Sequence, residues 1–137
     1  MTPNETSTTP ISVLILEDNV ALLYLLRDGL AYSGYDVAIA TSGKEGLRIL
    51  QSKTWKPHLI LCDLQLSDMT ACDVLRVAHE DELLREIPVI ILSGSTYSKC
   101  HCPGFEPQIK AQLVKPVILD DLITVIEKTV ANRSDAY

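Results

Sequence analysis

Five short apolar runs punctuate the chain: ISVLIL at 11–16, YDVAIA at 35–40, HLILCD at 58–63, PVIILS at 88–93 and AQLV at 111–114. Each is short, rich in branched side chains and bounded by polar or turn-forming residues, which predicts five strands. The first, third and fourth are nearly unbroken Val, Ile and Leu, the pattern of a parallel sheet covered on both faces. Between the strands the apolar period changes to three or four. Leu22, Leu23, Leu26 and Leu30 predict a helix over 19–33, with Asp18 or Asn19 as its cap and Gly34 as its stop. Ser42 with Glu45 reads as a capping box for a second helix that carries Leu47 and Leu50 toward Pro57. A third starts near Thr70 with Val74, Leu75 and Ala78 inward, and Pro88 marks entry into the fourth strand. A last helix over 119–132 places Leu122, Val125, Ile126 and Val130 on one face.

One interval breaks this rhythm. STYSKCHCPGFEP, 95–107, holds two prolines and a glycine without a helical period, so a loop or a short distorted turn is expected between strands 4 and 5. The alternation still specifies an α/β fold with a parallel sheet, doubly wound by right-handed crossovers.

With 137 residues, 47% of them apolar, the chain has material for one core and one domain. A net charge of -6 argues against direct nucleic-acid binding, which needs clustered Lys and Arg. No apolar run is long enough to span a bilayer, and the first ten residues lack the charge and apolar stretch of a signal peptide, so a cytoplasmic protein without membrane association is expected. Residues 1–10, polar and rich in Thr, read as a disordered lead-in, 11–132 as the domain, and 133–137 as a fraying tail. Without evidence of secretion, Cys62, Cys72, Cys100 and Cys102 are expected as reduced thiols, Cys62 and Cys72 as small buried fillers. Cys100, His101 and Cys102 place soft ligands close together, but no fourth ligand for a tetrahedral Zn2+ lies nearby.

In an open α/β sheet, ligands bind at the carboxyl ends of the strands. Strand 1 runs into Glu17 and Asp18, strand 3 ends at Asp63, strand 4 at Ser93, and strand 5 is followed by Lys115 and Pro116. If these strands are neighbours, the side chains share one rim. Three carboxylates that close repel unless a cation neutralises them, and oxygen ligands favour a hard ion such as Mg2+, which leaves room for phosphoryl oxygens. Lys115 then offsets phosphoryl charge, Ser93 donates a hydrogen bond, and Asp63 is the natural nucleophile for an aspartyl phosphate.

This set of residues, at these intervals, resembles the receiver domain of two-component response regulators over about 11–132. The resemblance implies a flavodoxin-like, CheY-like fold: a doubly wound five-stranded parallel sheet in the order 2-1-3-4-5, here with the helix between strands 4 and 5 short or irregular. It implies that Asp63 accepts a phosphoryl group from a sensor histidine kinase or a histidine phosphotransfer protein and passes the signal to a downstream protein, whose identity it leaves open. The domain would catalyse only its own phosphorylation and dephosphorylation. It further implies Mg2+ held by Glu17, Asp18, Asp63 and the backbone carbonyl of Gln65, a Lys115 that contacts the phosphoryl group, a cis peptide before Pro116, and Ser93 as the first half of a switch. The second half, ordinarily Tyr or Phe, is Gln112 here, and the loop after Asp63 has Ser67 and Ala71 where the family often has Pro and Gly.

Two other functions compete. A degenerate receiver would bind partners without phosphorylation, a reading that Gln112 keeps open. A phosphatase of the haloacid dehalogenase type would need a second Asp two residues after the first, where Gln65 stands.

Overall fold

The computed structural model describes residues 9–94, 102–104 and 106–134. Most of the expected lead-in, the end of the tail, and Tyr97, Cys100, His101 and Phe105 lie outside the described residues. The elements are β1 (Ser12–Leu16), α1 (Val20–Tyr32), β2 (Asp36–Ala40), α2 (Gly43–Leu50), β3 (Leu59–Asp63), α3 (Ala71–Ala78), β4 (Val89–Ser93), β5 (Ile109–Val114) and α4 (Leu119–Ser134), with 3-10 turns at Leu84–Glu86 and Glu106–Gln108. All strand pairs are parallel, in the order β2-β1-β3-β4-β5. β5 begins two residues earlier than the apolar run suggests, because Ile109 pairs with Val89 before the register slips by one residue to bring Ile90 opposite Ala111.

Alternation along the strands divides the core into two layers. Val13, Ile15, Leu59, Leu61, Ile90 and Leu92 pack against Leu23, Leu26 and Leu30 of α1 and Leu122 and Ile126 of α4. Leu14, Leu16, Ile60, Cys62, Val89 and Ile91 pack on the other face against Leu50 of α2, Val74, Leu75 and Ala78 of α3, and Cys102. β1, β3 and β4 are buried along their whole length, as their unbroken apolar composition predicts.

The helix ends are set by local chemistry. Asn19 caps α1 by accepting from Leu22 N–H at 3.1 Å, and Gly34 terminates it at φ +99°. Thr70 and Asp73 form a full capping box on α3. At α2 the box is only half formed: Ser42 accepts from Glu45 N–H, but Glu45 reaches Thr41 N–H instead of Ser42 N–H. The carboxylate of Asp68, from the loop after β3, takes Gly43 N–H at 2.8 Å and Lys44 N–H at 2.9 Å. These backbone bonds hold its pKa below the usual carboxylate value.

Two anchors among the described residues hold the connection between β4 and β5. Gln108, buried, donates through Nε2 to the carbonyls of Leu84 and Ile87 at 3.0 and 2.9 Å. Cys102, also buried, is disulfide-bonded to Cys72 of α3 with Cα atoms 5.3 Å apart. The bond corrects the expectation of reduced thiols and of Cys72 as a buried filler. Cys72 is half-buried in the first turn of α3, and the chain's return past that turn brings Cys102 to it. Cys62 is buried and takes no part in the disulfide, as expected. His58, where β3 begins, accepts from Ser12 N–H through Nδ1 at 3.0 Å and so joins β3 to β1. No helix among the described residues is long and apolar enough to cross a membrane.

Candidate functional site

Because β1, β3, β4 and β5 are consecutive in the sheet, their carboxyl ends form one rim. Glu17 and Asp18 follow β1, Asp63 ends β3, Ser93 ends β4, and Lys115 follows β5. The sequence-predicted acids converge: one oxygen from each of Glu17, Asp18 and Asp63 lies within 4.8 Å of the others. Glu17 and Ser93 have no exposed surface, Asp63 is 6% exposed, and Asp18 is half-buried.

Backbone bonds fix the rim. Glu17 N–H donates to Ala40, Leu64 N–H donates to Leu92 at 2.7 Å, and Lys115 N–H donates to Ser93 at 2.7 Å. The peptide joining Lys115 to Pro116 is cis. The Lys115 ammonium stands 2.8 Å from Glu17 Oε1 and 3.0 Å from Asp63 Oδ2. Its contact with Glu17 is an ion pair without hydrogen-bond alignment, so Oε1 remains a buried acceptor that no donor satisfies directionally. Glu17 Oε2 accepts from Asn19 N–H at 3.0 Å.

Electrostatics follow from this geometry. Burial raises the Glu17 pKa, and the Asp63 charge adds to the rise, against the lowering effects of Lys115 and Asn19. Burial by itself would lower the Lys115 pKa, but Glu17 and Asp63 outweigh it and hold the lysine above its ordinary value. A simple ion pair would lower the acid as it raises the base. The opposite sense at Glu17 comes from its burial, which outweighs the lowering effects of Lys115 and Asn19. A buried Glu17 carboxylate beside two further carboxylates is a hard, all-oxygen donor set that fits Mg2+.

Gln65 lies in the loop after β3, which an antiparallel bridge between Gln65 and Thr70 closes. Its N–H donates to Asp63 Oδ1 at 3.3 Å, and its side chain is exposed. Gln112 is half-buried in β5, opposite Ile91, and belongs to the strand rather than to the acidic cluster. An added Cβ on Gly94 would meet nothing within 4 Å among the described residues. The Asp68 bond to α2 and the Cys72–Cys102 bond escaped the sequence reading. Both join residues far apart in the chain, and neither has a local pattern. An even cysteine count permits a disulfide without identifying the pair.

A doubly wound sheet with an acidic cluster and a lysine at its carboxyl rim defines the receiver class of signalling domain, and comparison with known proteins agrees. Residues 13–127 match the family model of the response regulator receiver domain. The chain is 32% identical over 123 residues to the polar-differentiation response regulator DivK of Brucella anthropi, covering 86% of this chain and 94% of that one. A DivK from Brucella ovis is 33% identical over 121 residues, covering 85% and 93%. Among solved structures, a CheY-like receiver domain from Methanospirillum hungatei superposes with a TM-score of 0.81 at 27% identity, covering 94% of this chain and all of that one. The chain belongs to the response regulator receiver domain family. It is thus a receiver domain of a two-component system, a signalling class that interacts with histidine kinases or phosphotransfer proteins.

Proposed function

We propose that this receiver is a working phosphoacceptor, with Asp63 as the residue phosphorylated. The observation that carries the reading is the placement of a nearly buried Asp63 3.0 Å from Lys115 and within 4.8 Å of two more carboxylates. Glu17, Asp18 and Asp63, with the backbone carbonyl of Gln65, would hold Mg2+. When bound, the ion supplies neutralisation of the carboxylates and of the incoming phosphoryl oxygens.

The chain's own residues do the rest. One Asp63 oxygen attacks phosphorus on a phosphohistidine, the P–N bond breaks, and the imidazole leaves with its electron pair and takes a proton. Lys115 releases Asp63 Oδ2 and pairs with the phosphoryl charge, and the Ser93 hydroxyl donates to a phosphoryl oxygen. Water later attacks phosphorus, the P–O bond to Asp63 breaks and inorganic phosphate leaves, restoring the Asp63 carboxylate, so the only catalysis is of the domain's own phosphorylation and dephosphorylation. The phosphodonor is a sensor histidine kinase or histidine phosphotransfer protein, and the output is a protein contact. Ser93 acts as the switch residue, with Gln112 where an aromatic partner usually sits. The working unit is 11–132, flanked by a lead-in and a tail, in the cytoplasm.

Support for Mg2+ comes from the donor set and from the fold shared with a receiver of the Pseudomonas aeruginosa sensor kinase PA1611 (TM-score 0.78, 20% identity, covering 90% of this chain and 99% of that one), which has magnesium coordinated in its active-site cleft. The test is intact-mass analysis after incubation with acetyl phosphate and Mg2+, beside Asp63→Ala. Uptake of one phosphoryl group by the parent alone is expected. Equal uptake by both removes Asp63 from the role, and uptake by neither favours the phosphorylation-independent reading.

A further inference from the structure

We infer that Cys72 and Cys102 form a reversible thiol–disulfide site through which the thiol redox state of the surroundings sets the lifetime of the phosphoryl group. The inference rests, for its second half, on the phosphoacceptor reading of Asp63.

Placement carries it. Cys72 is the second residue of α3, two positions after Thr70, whose bridge to Gln65 closes the loop next to Asp63. Cys102 lies on the connection that leaves Ser93 at the end of β4 and returns to Lys115 after β5. The bond therefore ties the loop on one side of the rim to the chain that supplies the other side. That connection has only two buried anchors among its described residues, Cys102 and Gln108. Pro103, Gly104 and Pro107 between them are exposed, and Gly104 turns the chain at φ +89°. Cutting the disulfide removes the covalent link to α3, while Gln108 keeps its bonds to Leu84 and Ile87.

The chemistry is available at the same place. Cys72 is half-buried and sits in the first turn of a capped helix, where aligned N–H groups favour the thiolate. The neighbouring Asp73 has its carboxylate committed to Thr70 N–H and to Arg76, 2.8 Å away. With a low-molecular-weight disulfide as oxidant, the Cys72 thiolate attacks one of its sulfurs, expels one thiolate and forms a mixed disulfide. The Cys102 thiolate then attacks Cys72 Sγ, expelling the second thiolate. Two protein protons are released, and two small thiols form for one protein disulfide. Two small thiols reverse the sequence.

The experiment equilibrates the full chain in glutathione buffers of graded ratio, alkylates free thiols and maps them by mass. Expected is a reversible Cys72–Cys102 pair, absent in Cys72→Ser and in Cys72→Ala. A disulfide that maps to Cys100, or thiols that stay reduced in excess glutathione disulfide, overturns the site. On reduction, amide exchange over 102–112 should quicken about tenfold or more, and unchanged exchange overturns the tether. After acetyl phosphate and Mg2+, the oxidised form should keep its phosphoryl group about fivefold longer than the reduced form, with both Cys72 variants matching the reduced form in either buffer. Equal lifetimes overturn the coupling. Failure of both forms to take up phosphate removes the Asp63 reading instead, and with it the coupling, while mapping and exchange still decide the redox site.

Discussion

Lys115 holds its ammonium 2.8 Å from Oε1 of Glu17, a carboxylate with no exposed surface. The pair crosses from the end of β5 to the end of β1, although β3 and β4 lie between them in the sheet. Lysine thus spans the rim, and its removal would leave Glu17 and Asp63 facing each other without a counterion.

Replacement Lys115→Met keeps much of the apolar stem and removes the charge. Without divalent cations it should lower unfolding stability by about 2 to 3 kcal/mol, since breaking a buried ion pair strands the remaining charge. Added Mg2+ should restore part of the loss. Urea unfolding in chelator and in Mg2+ checks both, and a variant as stable as the parent in chelator would show that the pairing contributes nothing to folding.

Asp63→Asn acts in the other direction, because it removes one of three mutually repelling carboxylates while leaving Lys115 an acceptor. Stability without metal should rise by about 0.5 to 2 kcal/mol. The parent should gain about 2.7 kcal/mol at Mg2+ concentrations near 100 times its dissociation constant, and the variant far less. Thermal melts across a Mg2+ titration would measure the difference, and parallel responses of the two proteins would exclude Asp63 from the metal site.

Asp68 supplies the pH dependence that can be worked out by sign. Its folded pKa is depressed by the Lys44 and Gly43 N–H groups, so its contribution is present above the unfolded value of about 3.9 and is lost as pH falls through the lower folded value. At pH 7, Asp68→Asn should cost about 0.5 kcal/mol, a small figure because the group is exposed and solvent screens it. The gap between parent and variant should close below about pH 4. Urea titrations at neutral and acid pH test this, and a gap that widens in acid contradicts the capping role.

Two glycines should respond oppositely. A Cβ at Gly46 would fall 2.3 Å from Leu16 Cδ2 and 2.6 Å from its Cγ, inside the buried end of β1. Gly46→Ala should therefore cost about 1 to 3 kcal/mol as Leu16 is displaced beside Glu17. Gly94→Ala meets no atom within 4 Å and should leave stability nearly unchanged, while altering how fast water removes a phosphoryl group from Asp63. Denaturation midpoints and phosphate lifetimes separate the two effects.

Strand positions and the acidic rim were legible because each rests on a local signal, whereas the sheet order followed only from the resemblance to receiver domains. Unbroken Val, Ile and Leu mark a doubly covered strand, and an acid placed where such a strand stops reaches the rim by geometry alone. Asp63, Glu17, Asp18 and Lys115 converge for that reason. The second half of the predicted Ser42 and Glu45 box did not form because the Glu45 carboxylate takes Thr41 N–H, one residue further back, and the first helical N–H groups, Gly43 and Lys44, are taken by Asp68, a partner from another loop that no local reading contains. Cys72 and Cys102 likewise became partners only through tertiary return of the chain, 30 residues on. Of the interval 95–107, where the prolines predict weak helix formation, the described portion holds a turn and the start of the short Glu106–Gln108 helix, and the rest lies outside the described residues.

Lys110 gives β5 one residue more than its neighbour can match, since Val89 faces Ile109 while Ile90 faces Ala111. Ile109 accordingly packs with α2 and α3, whereas Ala111 and Leu113 pack with α1 and α4. In an unbroken count the parity of every later position would invert, sending Leu113 to the α3 side and Gln112 to the side of α1. The side on which position 112 listens is therefore a matter of arithmetic before it is a matter of side-chain chemistry. Deleting Lys110 would leave Ala111, Gln112 and Leu113 at their present addresses, since they already face Ile90, Ile91 and Leu92, whereas pairing Lys110 with Ile90 would readdress them all.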